Sequence, residues 1–250
     1  MFLSIFKLTD DNFIVKRNEY TQSKMQNTDL DDAAPAMARI SRPRGRPSND
    51  AAGVVREDKV LDLAFNTFAQ RGYEGTTLRE LAKELGVSHN LINIRFGSKA
   101  DLWRRAVDAH IARVAPPVMA AFDEPGLDDK TRLAELIHRL CRWTAENTDF
   151  VGLMHTEGRR ATWRLDYLAN AYAMPFKEKL SALLASIASQ RPVRDISASA
   201  LMAVLVEGVG FYFASGPLLD RMGDADEISP GKLGGQIDIF AEFILAGLLP

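Results

Sequence analysis

From about residue 54 onward, short apolar stripes are separated by single glycines and hydroxyl residues, the rhythm of helices and their ends. Val60, Leu61, Ala64, Phe65 and Phe68 recur at steps of one, three and four, which places them on one face of an amphipathic helix. Gly72 follows where a helix commonly stops, and Arg71 in the last turn suits the negative helix end. Thr77-Leu-Arg-Glu80 has the spacing of a capping box, in which the hydroxyl and the carboxylate each satisfy a free backbone amide. It predicts a second, short helix with Leu78, Leu81, Ala82 and Leu85 inward and Gly86 as its stop. Ser88 caps a third helix through Phe96; Gly97 ends it, and Ser98-Lys-Ala-Asp101 opens a fourth to about Val114.

Pro116 and Pro117 mark the next break. Beyond them the helical period continues over Lys130–Glu146, Val151–Leu168, Phe176–Gln190, Ser197–Phe213 and Leu233–Leu248. Pro175 is expected to kink or divide the chain between the middle two. No alternating run is long enough for a strand, and no internal repeat is visible. The pattern predicts an all-α protein.

Residues 1–53 read differently. Polar and acidic residues dominate Thr9 to Asp32, and the run SRPRGRPSND follows, so nothing here can bury a core. This stretch is expected to be an unstructured N-terminal extension, with translation beginning in earnest at Met37. A basic arm over residues 41–48 is its one chemically pointed feature.

Thr77–Leu85 and Ser88–Phe96, joined at Gly86-Val87, have the layout of a helix-turn-helix over residues 77–96. Glycine permits the sharp reversal, Val87 fills the corner, and Ala82 lets the helices approach. Ile92 and Phe96, four apart, belong inside, which leaves His89, Asn90, Leu91, Asn93, Ile94 and Arg95 facing outward.

The stretch RGYEGTTLRELAKELGVSHNLINIRFGSKADLW resembles the DNA-binding domain of the tetracycline-repressor (TetR/AcrR) family. The likeness runs from about Val54 to Val114 through Phe68, Gly72-Tyr73, Thr76-Thr77, Ala82, Gly86-Val87-Ser88, Phe96, Ser98-Lys99 and Leu102. It implies a helix-turn-helix DNA-binding domain over 54–114 and a larger helical domain over 115–250 for effector binding and dimerisation. It also implies that Thr76, Thr77, Ser88, His89, Asn90, Leu91, Asn93, Ile94, Arg95 and Lys99 lie at or near DNA, with Lys99 on a phosphate. The family usually has tyrosine where Asn93 stands, often histidine at Arg95 and commonly glycine at Asn90. Asn90 and Asn93 are suited to adenine and Arg95 to guanine or phosphate, so the operator cannot be borrowed from relatives.

Charge supports this division only mildly. The net charge is −2, yet residues 37–110 hold thirteen Lys/Arg against nine Asp/Glu, which leaves the remainder acidic. Pro43-Arg-Gly-Arg-Pro47 resembles the AT-hook, whose extended Arg-Gly-Arg lies in the narrow minor groove; Arg44 and Arg46 are its candidate contacts. The alternative is a basic leader that raises only non-specific affinity. The single cysteine, Cys141, excludes an intrachain disulfide, and with no secretory signal or apolar span it predicts a cytoplasmic protein without a membrane partner.

Candidate enzyme chemistry is sparse. No nucleophile elbow, phosphate-binding loop or dinucleotide fingerprint occurs, and His110, His138 and His155 lack neighbours at metal spacing. No catalytic residue, metal or cofactor is expected. In the second half, Trp143, Met154, His155, Trp163, Tyr167, Tyr172, Phe176 and Phe211 are candidates for an effector pocket, or simply core. Leu201, Leu205, Phe240 and Ile244 lie on helices apolar around much of their circumference and are candidates for a dimer interface. Together these features predict a homodimeric repressor that binds double-stranded operator DNA and is released by a small-molecule effector. The rivals are an architectural DNA-binding dimer without effector and an enzyme in the helical domain.

Overall fold

The computed structural model describes residues 55–249, so the expectations for Met37, the arm, Arg44 and Arg46 lie outside the described residues. Every element among the described residues is helical. Four helices form the head: α1 (Glu57–Arg71), α2 (Leu78–Glu84), α3 (His89–Phe96) and α4 (Lys99–Val114). The body follows with α5 (Pro116–Ala120), α6 (Asp129–Glu146), α7 (Thr148–Gly158), α8 (Trp163–Leu168), α9 (Met174–Ala188), α10 (Ala198–Ala203), α11 (Gly210–Ala214), α12 (Gly216–Met222) and α13 (Leu233–Leu248).

Two cores hold these helices. In the head, α1 lies along α4, and Val60, Ala64, Phe65 and Phe68 meet Leu81, Ile92, Phe96, Leu102 and Trp103. Phe150, Leu153 and Leu168 join this core from the body side. The second core packs α6 against α13, α9, α11 and the turn over Val204–Val209 around Leu133, Leu136, Ile137, Leu140, Leu180, Leu201, Leu205 and Ile237. Fully burying one large apolar side chain contributes about 1.5–3 kcal/mol, so each core far outweighs any single surface pair. Trp143, near the end of α6, packs against both.

The expected helix over 151–168 is in fact two. Gly158 closes α7, the chain turns through Arg159 to Ala161, and Thr162 starts α8 by accepting from the Leu165 amide at 3.3 Å. Of the two outcomes expected at Pro175, a kink or a division, the chain is not divided. A π-helical turn over Ala169–Ala173 widens the helix just before it, and α8 runs on into α9 with proline in the first turn. Proline has no amide to give to the preceding turn, and the wider turn absorbs that loss without a break. A second π turn over Val204–Val209 joins α10 to α11.

Close packing decides one glycine. A Cβ at Gly210 would lie 3.0 Å from both methyls of Val151, so any larger residue there requires Val151 on α7 to give way. The α5–α6 loop is held by Arg132, whose guanidinium donates to the carbonyls of Phe122 at 2.8 Å, Glu124 at 3.0 Å and Leu127 at 3.1 Å. Cys141 is fully buried, and burial pushes its thiol up to about 12.

Candidate nucleic-acid interface

The outer face of α3 is set by its punctuation. Thr77 and Glu80 close the capping box at the start of α2, with the Glu80 amide donating to Thr77 Oγ1 at 3.2 Å and the Thr77 amide to Glu80 Oε2 at 3.2 Å. Gly86, at φ +68°, reverses the chain, and the Val87 amide returns to the Ala82 carbonyl at 2.9 Å. Ser88 then accepts from the Leu91 amide at 3.2 Å. Ile92 and Phe96 sink into the head core, so the opposite side of the helix turns outward.

His89, Asn90, Leu91 and Ile94 share that outward side; Ile94 is 76% exposed and Leu91 40%. Asn93 is half-buried, with Nδ2 3.3 Å from His89 Nδ1, one helical turn back. These side chains provide amide donors and acceptors beside apolar tips, the combination that reads base edges and thymine methyls in a major groove. Thr77 and Ser88 are exposed at adjoining helix starts, where free amides suit a phosphate.

Two candidates sit elsewhere. Thr76 is wholly buried, and its hydroxyl donates to the Gly72 carbonyl at 2.9 Å; it organises the turn before α2 and does not face outward. Arg95 is half-buried and engaged with the start of α1. Its guanidinium donates to the Val55 carbonyl at 2.7 Å and lies 3.6 Å from Glu57. Arg105 completes this clasp by donating to the Arg95 carbonyl at 3.1 Å and pairing with Glu57. A cation at the last carbonyls of α3 also suits the helix dipole. Arg105 and Glu57 escaped the sequence reading because they meet α3 only through the tertiary fold.

Lys99 connects this face to the rest of the molecule. Its ammonium lies 4.1 Å from the centroid of Tyr73, and the Arg164 guanidinium lies 4.4 Å from that same centroid. Arg164 is buried and pairs with buried Glu157 at 2.8 Å, so the start of α8 and the end of α7 grip the turn before α2. Tyr73 also meets Trp163 edge-on at 5.6 Å. On the next stretch of the same seam, Asp108 accepts from Tyr167 at 2.6 Å and from Tyr172. Burial pushes the Asp108 carboxyl up, and the two hydroxyls oppose that shift.

The expected effector residues do not form one group. Trp143, Met154, Trp163, Tyr167 and Tyr172 all pack on the body side of the head core. Phe176 instead meets Phe122 edge-on at 5.3 Å in the body core. His155 and Phe211 stand at the surface, where His155 Nδ1 lies 2.8 Å from Glu207. Of the expected dimer residues, Leu201, Leu205 and Ile244 are buried within this chain, and Phe240 packs on Tyr212 at 5.1 Å. The exposed apolar positions of those helices are Val204, Phe211, Ile239 and Phe243, the last 77% exposed. The helical period marks these stripes as apolar, but which part of each stripe the chain itself covers depends on neighbours far away in sequence.

Among the described residues, no group of three or more His, Cys, Asp or Glu could hold a metal, and no single helix is long and apolar enough to cross a membrane.

Comparison with known proteins bears on the same region. Residues 60–106 match the family described as bacterial regulatory proteins, tetR family. An uncharacterized HTH-type transcriptional regulator of Bacillus subtilis strain 168, YezE, is 34% identical over 67 residues, which are 27% of this chain and 34% of that protein. The HTH-type transcriptional repressor ComR of Escherichia coli strain K12 is 34% identical over 76 residues, covering 30% of this chain and 34% of ComR. The chain thus spans about a third of the length of these relatives. In three dimensions it is similar to an HlyIIR mutant protein at a TM-score of 0.57 and 20% identity, over 77% of this chain and 94% of that one, a likeness of fold.

Proposed function

Because this chain belongs to the tetR family of bacterial regulatory proteins, we propose that it is a sequence-specific, DNA-binding transcriptional repressor that works as a homodimer in the cytoplasm and leaves its operator when a small molecule binds the body. The observation that carries this reading is the outward face of α3, where His89, Asn90, Leu91 and Ile94 are presented on a helix fixed by its cap and by two buried anchors. Two such helices enter successive major grooves, ~34–36 Å apart, of a pseudo-palindromic site. Lys99, Thr77 and Ser88 fix the register through phosphates, and the exposed side chains of α3 read bases. In this reading the second copy covers Val204, Phe211, Ile239 and Phe243, which offer an apolar surface that no element among the described residues occupies.

Release needs a ligand that favours one spacing of the two heads, and coupling of that kind is typically ~1–3 kcal/mol. The Lys99–Tyr73–Arg164 stack is a physical route for it, since it ties a helix of the body to the edge of the interface. Selection from random duplex DNA, read by sequencing, tests the function. The expected result is an inverted repeat whose recovery is lost in Ile94→Ala and Asn90→Ala, while thermal unfolding of both variants stays unchanged. Recovery of no common sequence by the unsubstituted protein would overturn the reading.

A further inference from the structure

Two buried ring nitrogens lack a partner, and both belong to side chains packed on the same phenyl ring. Among the described residues, these are His110 Nε2 and Trp143 Nε1. His110, on α4, stacks on Phe65 at 3.7 Å and lies 5.9 Å from the Phe150 ring. Trp143, on α6, meets Phe150 edge-on at 5.3 Å. The place is the seam where the head core meets the body.

Both nitrogens are donors. An indole N–H can only donate. For His110, Arg113 Nη2 approaches Nδ1 at 3.4 Å, and a guanidinium can only donate, so Nδ1 accepts. The neutral ring must then carry its proton on Nε2. Burial and the neighbouring Arg113 hold this imidazole down to about 4, with Asp62 opposing, so the ring is neutral near pH 7. Two N–H groups are therefore withdrawn from water and offered no acceptor, an arrangement native interiors rarely leave unanswered.

We propose that this seam binds an apolar molecule whose polar group presents acceptor oxygens only, as a ketone, an ester or a carboxylate does on a hydrocarbon body. The surroundings supply the apolar half: the Phe65 and Phe150 rings pack on the two donor side chains, within a core that also holds Leu153. An ammonium head would bring only donors and leave both N–H groups unmet. Trp143 is half-buried and packs on both cores, so an occupant there bears on head and body together. The inference rests on the effector reading above and gives that effector a position and a chemical class.

The test follows the indole N–H resonance of Trp143 in the full chain, assigned among the three tryptophans by Trp143→Phe. The probes are 2-undecanone, methyl decanoate and decanoate, with undecane as the acceptor-free control. The oxygen-bearing probes are expected to move the Trp143 proton downfield and undecane to leave it in place. Trp143→Phe and His110→Phe should each weaken binding about five- to tenfold, the effect of one lost hydrogen bond. If no oxygen-bearing probe moves the resonance, or undecane binds as tightly as they do, the proposal is overturned and the donors serve an internal water only. Operator affinity measured in the same titrations separates the two readings. A probe that moves Trp143 without changing DNA binding keeps the site and removes the effector role. A compound that releases DNA without touching Trp143 keeps the effector role and removes this site.

Discussion

Between Glu57 and Val114, three of the four helices begin at a hydroxyl residue whose side chain accepts a backbone amide, and the turns after α1, α2 and α3 pass through Gly72, Gly86 and Gly97 at positive φ. Beyond Pro116 the punctuation thins. Asp128, Thr162 and Ser197 cap α6, α8 and α10, but α7, α9, α11 and α13 start without a side-chain cap, and two helical runs pass through π turns. The head is thus specified locally, residue by residue, whereas the body takes its boundaries from what packs against it. The head presents α3 on a locally capped frame; the body has wider turns, and the unmet donors His110 and Trp143 lie one on each side of the seam between them.

The largest effect is expected where the two regions are joined. Arg164→Met leaves Glu157 as an unpaired buried carboxylate and should cost about 3–5 kcal/mol in urea unfolding, most of it recovered in the double variant with Glu157→Leu. A loss below about 1 kcal/mol would mean that head and body do not depend on this pair. Acid gives a second, slightly smaller break. His110 binds its proton at about 4 in the fold and near 6.5 when unfolded, so its contribution is complete above pH 6.5 and is lost as pH falls toward 4. The loss amounts to about 3 kcal/mol, and His110→Phe should remove that part of the slope when unfolding curves at pH 7.0 and 4.5 are compared. Smallest is the local change, Thr77→Ala, expected to cost about 1 kcal/mol by thermal unfolding because it opens one capping box. A much larger loss there would show that the head also depends on distant packing.

This contrast explains what the sequence makes legible. Gly86, Ser88 and Gly97 act within four residues of themselves, so α2, α3 and the start of α4 can be read directly, and so can Ile92 and Phe96 as inward anchors. Arg95 cannot be read that way. Whether it reaches DNA or Val55 depends on an approach across forty residues. Leu201, Leu205 and Ile244 were equally ambiguous, because a stripe of apolar residues says that a helix is covered but not by which chain. Thr76 stands beside an exposed cap yet is buried, and no periodicity distinguishes the two neighbours. Pro175 signals a break that a change in helix type makes unnecessary.

That change in helix type has a consequence for insertions and deletions. A π turn is an α-helix that has accepted one residue too many, and the extra residue rotates all that follows by about 100°. Removing Ala171 would return Ala169–Ala173 to ordinary α geometry without breaking the helix, yet it would swing Leu180, Leu183 and Ile187 away from the body core. The same holds at Val204–Val209, where a one-residue deletion would turn Phe211 toward a different neighbour. At these two places, the length of the chain sets which face each downstream helix shows.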